Sequence, residues 1–143
     1  MATYKSNIME KQTGSGNSKL SPADFGGRVR LAQGYVIPTS AYAAGTVLEL
    51  VRLPKGARVL PNSQLHFEAG QNASMTIKVG DSSDADRYLA AKAPGASVAT
   101  VALDGNRVGN YILPEEDVII ATTAGAALTA NKKIFFDIFY VVD

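Results

Sequence analysis

The stretch from Gly45 to Asp81 reads GTVLELVRLPKGARVLPNSQLHFEAGQNASMTIKVGD, with Pro54-Lys55-Gly56, Pro61-Asn62-Ser63 and Gly70-Gln71-Asn72 cutting it into short runs. In the last run Met75, Ile77 and Val79 alternate with Ser74, Thr76 and Lys78. A period of two puts the first set on one face of a strand and the second on the other, the pattern of a half-buried antiparallel strand. In SQLHFEA, Leu65 and Phe67 face inward by the same rule, and Gln64, His66 and Glu68 face outward. TVLELVRL and ARVL are apolar on both faces in places, as strands buried between layers are.

The pattern continues on either side. RVRLAQGYVI sets Val29, Leu31, Tyr35 and Ile37 on one face, opposite Arg28, Arg30 and Ala32, with Gly34 as a bulge or a close backbone contact. DSSDADRYLAAK admits two readings: a short helix capped by Asp84 and running through Lys92, or an irregular edge strand. The strand is the reading taken. Pro94-Gly95 then breaks the chain, and ASVATVAL alternates small and β-branched residues. Asp104-Gly105-Asn106 has hairpin-turn chemistry leading into RVGNYIL, because Gly and Asn tolerate φ > 0. After DVIIATTA, a turn at Gly125 and ALTANKK, the chain closes on IFFDIFYVVD. There Phe136, Ile138, Tyr140 and Val142 alternate with Phe135, Asp137, Phe139 and Val141, so both faces are largely apolar and a central strand is expected. About eight to ten strands at roughly 8–12-residue spacing predict an all-β fold, an antiparallel β-sandwich of jelly-roll type.

Residues 1–27 do not share this pattern. They are polar, with Gly14-Ser15-Gly16-Asn17-Ser18 and Gly26-Gly27, and cannot bury enough apolar surface to fold alone. Up to Arg30 the chain carries five basic residues, Lys5, Lys11, Lys19, Arg28 and Arg30, against Glu10 and Asp24. The segment is expected to be an extended interaction arm, followed by a β-sandwich domain over 28–143. Its contact residues would be Tyr4, Lys5, Ile8, Met9, Leu20 and Phe25. Fully extended, such an arm spans roughly 80–90 Å, enough to cross onto a neighbouring subunit.

Composition narrows the chemistry. The chain has 143 residues, 46% hydrophobic and 19% charged, with 13 glycines and a net charge of +1. That charge sets up no field to draw it to nucleic acid. With no cysteine, disulfides and thiolate sites are excluded. No apolar run approaches the ~18–20 residues of a membrane span, and MATYKSNIMEKQ lacks the apolar core of a secretory signal. Synthesis in the cytoplasm is therefore expected.

His66 is the single histidine, so any Ser-His-Asp arrangement must use it, yet the alternation puts it on a polar strand surface. One histidine without cysteine is a poor start for zinc. Asp81, Asp84 and Asp86 gather carboxylates that a hard cation favours, but without the glycine and distal glutamate of an EF-hand. They are a weak metal candidate beside the simpler reading of a solvated acidic turn. Glu115-Glu116-Asp117 reads as an exposed turn that keeps a strand edge soluble. GSGNSK lacks the flanking strand and helix of a phosphate loop. A sugar-binding face is disfavoured by the absence of tryptophan, although exposed tyrosines such as Tyr88 or Tyr111 keep it open. Neither a catalytic site nor a cofactor is expected.

As a whole, the ATYKSN start, FGGRVRLAQGYVIP, VLELVRLPKGARVLPNSQL, MTIKVGDSSDADRYLAA and the closing FFDIFYVVD resemble small virion proteins of tailed bacteriophages. These are head decoration (cement) proteins or minor structural proteins. The resemblance implies a β-sandwich on the capsid exterior that bridges capsomers, its arm laid across the major capsid protein and its copies associated as dimers or trimers. A head–tail connector, tail or fibre-base component, or a non-viral binding module for glycans or proteins, are the alternatives.

Overall fold

The computed structural model describes residues 28–105 and 107–142. Among them are nine strands: β1 (Arg30–Val36), β2 (Val47–Leu53), β3 (Ala57–Val59), β4 (Gln64–Phe67), β5 (Thr76–Gly80), β6 (Leu89–Lys92), β7 (Ala99–Ala102), β8 (Asp117–Ala124) and β9 (Ile134–Val142). They form two antiparallel sheets, one in the order β1-β9-β4-β7 with β3 also on β9, the other in the order β2-β8-β5-β6.

β3 and β4 lie end to end along the same edge of β9, β3 beside Tyr140–Val142 and β4 beside Ile134–Asp137. Counted as one broken strand, they reveal the winding. β1 pairs with β9, β2 with β8, β4 with β7 and β5 with β6. This is one long hairpin folded at its middle and rolled into two sheets, which is a jelly roll. The tip of that hairpin is the β5–β6 connection, residues 81–88.

At the break, the Ser63 hydroxyl replaces a missing strand partner: it accepts the Phe139 N–H at 2.9 Å, while the Phe139 carbonyl accepts the Leu60 N–H at 2.8 Å. No ladder group at the kink is left unpaired at Phe139, as a buried backbone requires. β2 has its own irregularity. Its register against β8 shifts between Glu49 and Val51, so the apolar run LELV is a bulge and not a strand with two buried faces. Leu48 and Leu53 are buried as a result, whereas Glu49 and Arg52 are exposed.

Leu65, Phe67, Val101, Ile134, Phe136 and Ile138 from one sheet meet Leu48, Ile77, Val79, Ile119 and Ala121 from the other, and all are buried. Leu103, Leu113 and Leu128 close the ends of this core. β9 is paired on both sides, as its apolar faces predict.

One expectation is corrected, and two alternatives left open by the sequence are decided. Gly34 makes no bulge, because β1 pairs with β9 in unbroken register from Arg30 to Val36. Instead it gives room to a ring: a Cβ at Gly34 would come within 2.9 Å of Phe136 Cζ. Asp104-Gly105 does not turn a hairpin into RVGNYIL. β7 pairs with β4, the Gly105 N–H reaches back to the Tyr88 carbonyl at 2.8 Å, and Ile112 makes only an isolated bridge with Arg58. Residues 84–92 hold no helix; the strand reading stands from Leu89, and Asp84 sits in the turn before it.

Candidate functional site

The arm contacts Tyr4, Lys5, Ile8, Met9, Leu20 and Phe25 lie outside the described residues. Two other regions carry chemistry.

The first is the hairpin tip. Asp81, which follows β5, is buried at its side chain. Its Oδ1 accepts the Ser83 N–H at 3.1 Å, the Ser83 hydroxyl at 2.9 Å and the Asp84 N–H at 3.0 Å. Arg87 Nε donates to Oδ2 at 2.6 Å, and the Tyr88 hydroxyl approaches it at 3.4 Å. Burial by itself would raise the Asp81 carboxyl; the hydrogen bonds from Arg87 and Ser83, the Arg87 charge and the Asp84 N–H outweigh it and hold the carboxyl below its ordinary value. Burial, followed by the Asp81 charge, pushes the Tyr88 phenol up.

In the acidic run the Asp81 and Asp84 carboxylates take separate partners. Asp81 is turned inward onto Arg87 and backbone N–H groups, Asp84 accepts the Asp86 N–H at 3.3 Å, and the three carboxylates do not converge. Among the described residues no group of three His, Asp or Glu side chains is placed to hold a metal ion. The tip is a structural latch.

Nor do Tyr88 and Tyr111 offer free rings. Tyr88 is fully buried, and the Arg87 guanidinium lies 3.7 Å from the Tyr111 ring centroid, with Arg107 at 5.3 Å. Alternation alone did not show that Tyr88 begins an inward-facing pair with Leu89. Near the second acidic run, Arg52 pairs with Glu116 at 3.1 Å in solvent, while Asp117 accepts the Ser82 hydroxyl at 2.7 Å.

The second region is the outer face of the β1-β9-β4-β7 sheet. Val29, Leu31, Tyr35 and Ile37 do share a face, but it is the solvent face: each is between 41% and 56% exposed. Ala32, Gly34 and Val36 take the inward side. Tyr35, Phe135 and His66 lie in one row across three strands, and Gln33, Asp137 and Gln64 in the next. His66 is where its alternation predicts, with Nδ1 bound to the Thr100 hydroxyl at 2.7 Å. Among the described residues no carboxylate holds its ring in the manner of a catalytic triad. Among the described residues no helix is long and apolar enough to cross a membrane.

No family model matches the chain, and no curated protein matches it. Solved structures do. The chain superposes on a chain of the capsid of Ralstonia phage GP4 with a TM-score of 0.69 and 19% identity, over 82% of this chain and 86% of the other. For the cyanophage Pam1 capsid the values are 0.65 and 20%, over 100% of both chains. For the acid-stable capsid of Helicobacter pylori bacteriophage KHP30 they are 0.52 and 20%, over 80% and 87%. At this identity the likeness is one of fold. It bears out the all-β sandwich, and it meets the sequence resemblance to phage head proteins at the level of architecture.

Proposed function

We propose that the protein is a structural, non-enzymatic component of a tailed-phage virion: a decoration or cement protein on the capsid exterior that bridges neighbouring capsomers. The observation behind this reading is the shared fold over 100% of both chains with a chain of the Pam1 capsid. The titratable groups agree with a structural role. The buried carboxylate is spent on its own loop, and His66 on Thr100.

In this reading the major capsid protein is the partner, residues 1–27 are the anchor, and the domain associates with itself as a dimer or trimer on the particle. The chain is made in the host cytoplasm and ends on the shell. A ligand that binds only the expanded shell stabilises it by RT ln(1 + [L]/Kd) per site. Symmetry repeats weak contacts many times, and an arm adds reach, so avidity accumulates without any single tight site.

The experiment is add-back. Full-length protein is mixed with expanded heads that lack it, sedimented, and imaged by electron cryomicroscopy. Saturable co-sedimentation, density repeated over the outer lattice and slower heat-induced DNA release are expected. Density confined to the tail vertex would make the protein a connector, and failure to bind heads would defeat the decoration reading.

A further inference from the structure

We propose that the outer face of the β1-β9-β4 sheet is a binding site for a neutral saccharide. Partners in register on antiparallel strands share a side of the sheet, so this face is built in rungs. Tyr35, Phe135 and His66 make one rung, and Gln33, Asp137 and Gln64 the next. Together with Gly34 they line a shallow groove of about 680 Å³.

Each rung supplies one half of what a pyranose presents. A sugar ring has apolar C–H faces and a rim of hydroxyls that both donate and accept. Tyr35 and Phe135 stand with ring centroids 5.9 Å apart and planes tilted by 57°, and the His66 ring flanks Phe135 on the other side at 6.3 Å. They form an aromatic trough for the C–H faces. In the polar rung, Gln33 Nε2 donates to Asp137 Oδ1 at 2.8 Å and Gln64 Nε2 approaches Oδ2 at 3.4 Å.

An ionised carboxylate has about four acceptor positions, so two of them remain for sugar hydroxyls. Each glutamine also keeps its Oε1 and a second N–H. Donors and acceptors therefore alternate along the rung, which suits hydroxyls and not a purely apolar ligand.

His66 adds one more contact. Its Nδ1 is fixed on the Thr100 hydroxyl at 2.7 Å, which leaves Nε2 for a ligand. The Asp137 carboxylate in the middle of the groove disfavours an anion, and the Lys133 ammonium, 4.9 Å from the Tyr35 ring, disfavours a cation, which leaves a neutral ligand as the best match. Every side chain of the groove comes from a paired strand, so the constellation is ordered before any ligand arrives. The proposal does not depend on where in a virion the protein sits.

The test is saturation-transfer NMR on the full-length protein with maltose, cellobiose, lactose, mannobiose and chitobiose, each at ~10 mM, a range that detects millimolar affinity. At least one disaccharide is expected to show transfer. Tyr35→Ala and Gln33→Ala should each weaken it by about tenfold or more, a change of ~1.4 kcal/mol. Val98→Ser, on a 63%-exposed position before β7, should leave it unchanged. Circular dichroism checks that each variant stays folded. Absence of transfer from all five sugars overturns the proposal, as does transfer that survives Tyr35→Ala. If Tyr35→Ala changes the sedimentation mass and no sugar binds, the face is a protein interface and the saccharide site is refuted.

Discussion

Arg87 Nε donates to Asp81 Oδ2 across 2.6 Å, and only 12% of the Arg87 side chain and 1% of the Asp81 side chain remain accessible. The pair sits at the tip of the rolled hairpin, where β5 turns into β6, so it fixes the point from which both sheets are wound. Removing one partner of a buried pair leaves the other charge uncompensated, at a cost of about 3–5 kcal/mol. Arg87→Ala is therefore expected to lower the urea midpoint steeply and the Tm by roughly 10 °C or more. A variant within a degree or two of the parent would show the latch to be dispensable.

The same carboxylate sets an acid limit. The folded Asp81 value lies below the unfolded one, so its contribution is complete above the unfolded value of ~3.9 and is lost as pH falls through the depressed folded value. Urea titrations from neutral pH down to acid should show this loss below about pH 4. In Asp81→Asn the acid limb should be flatter, with lower stability at neutral pH. An unchanged acid limb would assign the sensitivity to other carboxylates.

Ser63→Ala should cost about 1–3 kcal/mol, because it orphans the part-buried Phe139 N–H at the break between β3 and β4. Hydrogen exchange reports this directly: the Phe139 amide should lose protection well ahead of those of Phe136 and Ile138. Equal protection in parent and variant would mean that another group serves that amide.

Two glycines separate collision from conformation. A Cβ on Gly80 would strike the Asp84 carbonyl, whereas Gly95 has φ +82° and open space around it. Gly95→Ala is expected to cost about 1 kcal/mol, the ordinary penalty for a left-handed alanine. Gly80→Ala should cost several times more, since backbone must move and the latch is next to it. Chemical denaturation of both variants gives the ratio, and equal costs would contradict the packing described at the tip.

Deleting Tyr140–Asp143 removes the whole ladder between β3 and β9 and the first pair of β1 with β9. The truncated chain should fail to reach a soluble folded state, as judged by expression and by near-UV circular dichroism. A soluble, cooperatively unfolding product would show that β3 does not need its partner.

Much of the fold was written locally. The alternation of Leu65 and Phe67, and of Met75, Ile77 and Val79, names their inward faces because a strand has only two sides. The apolar closing strand announced a central position. What alternation does not encode is which side meets the other sheet. Val29, Leu31, Tyr35 and Ile37 share a face, yet Gly34 and Phe136 decide that it points outward, and that contact joins residues a hundred positions apart. The turn chemistry at Asp104-Gly105 misled for a similar reason, since a long-range pairing of β7 with β4 overrides the local hairpin. Of the chemistry, His66 was legible as a surface residue. The inward turn of Asp81 and the burial of Tyr88 depended on Arg87 folding back across the loop, and the outer-face groove depended on three strands distant in sequence.

Arg30 is paired with Tyr140, so the chain enters and leaves the sandwich at one corner. This has a practical bearing on particle engineering. A peptide fused after Val142 emerges beside Arg30, at the start of β1. The exposed turn from Ala93 to Val98 leads into Ala99, which pairs with Phe67, itself opposite Ile134 at the other end of β9. Cargo inserted there is carried at the opposite end of β9 from the Arg30–Tyr140 corner.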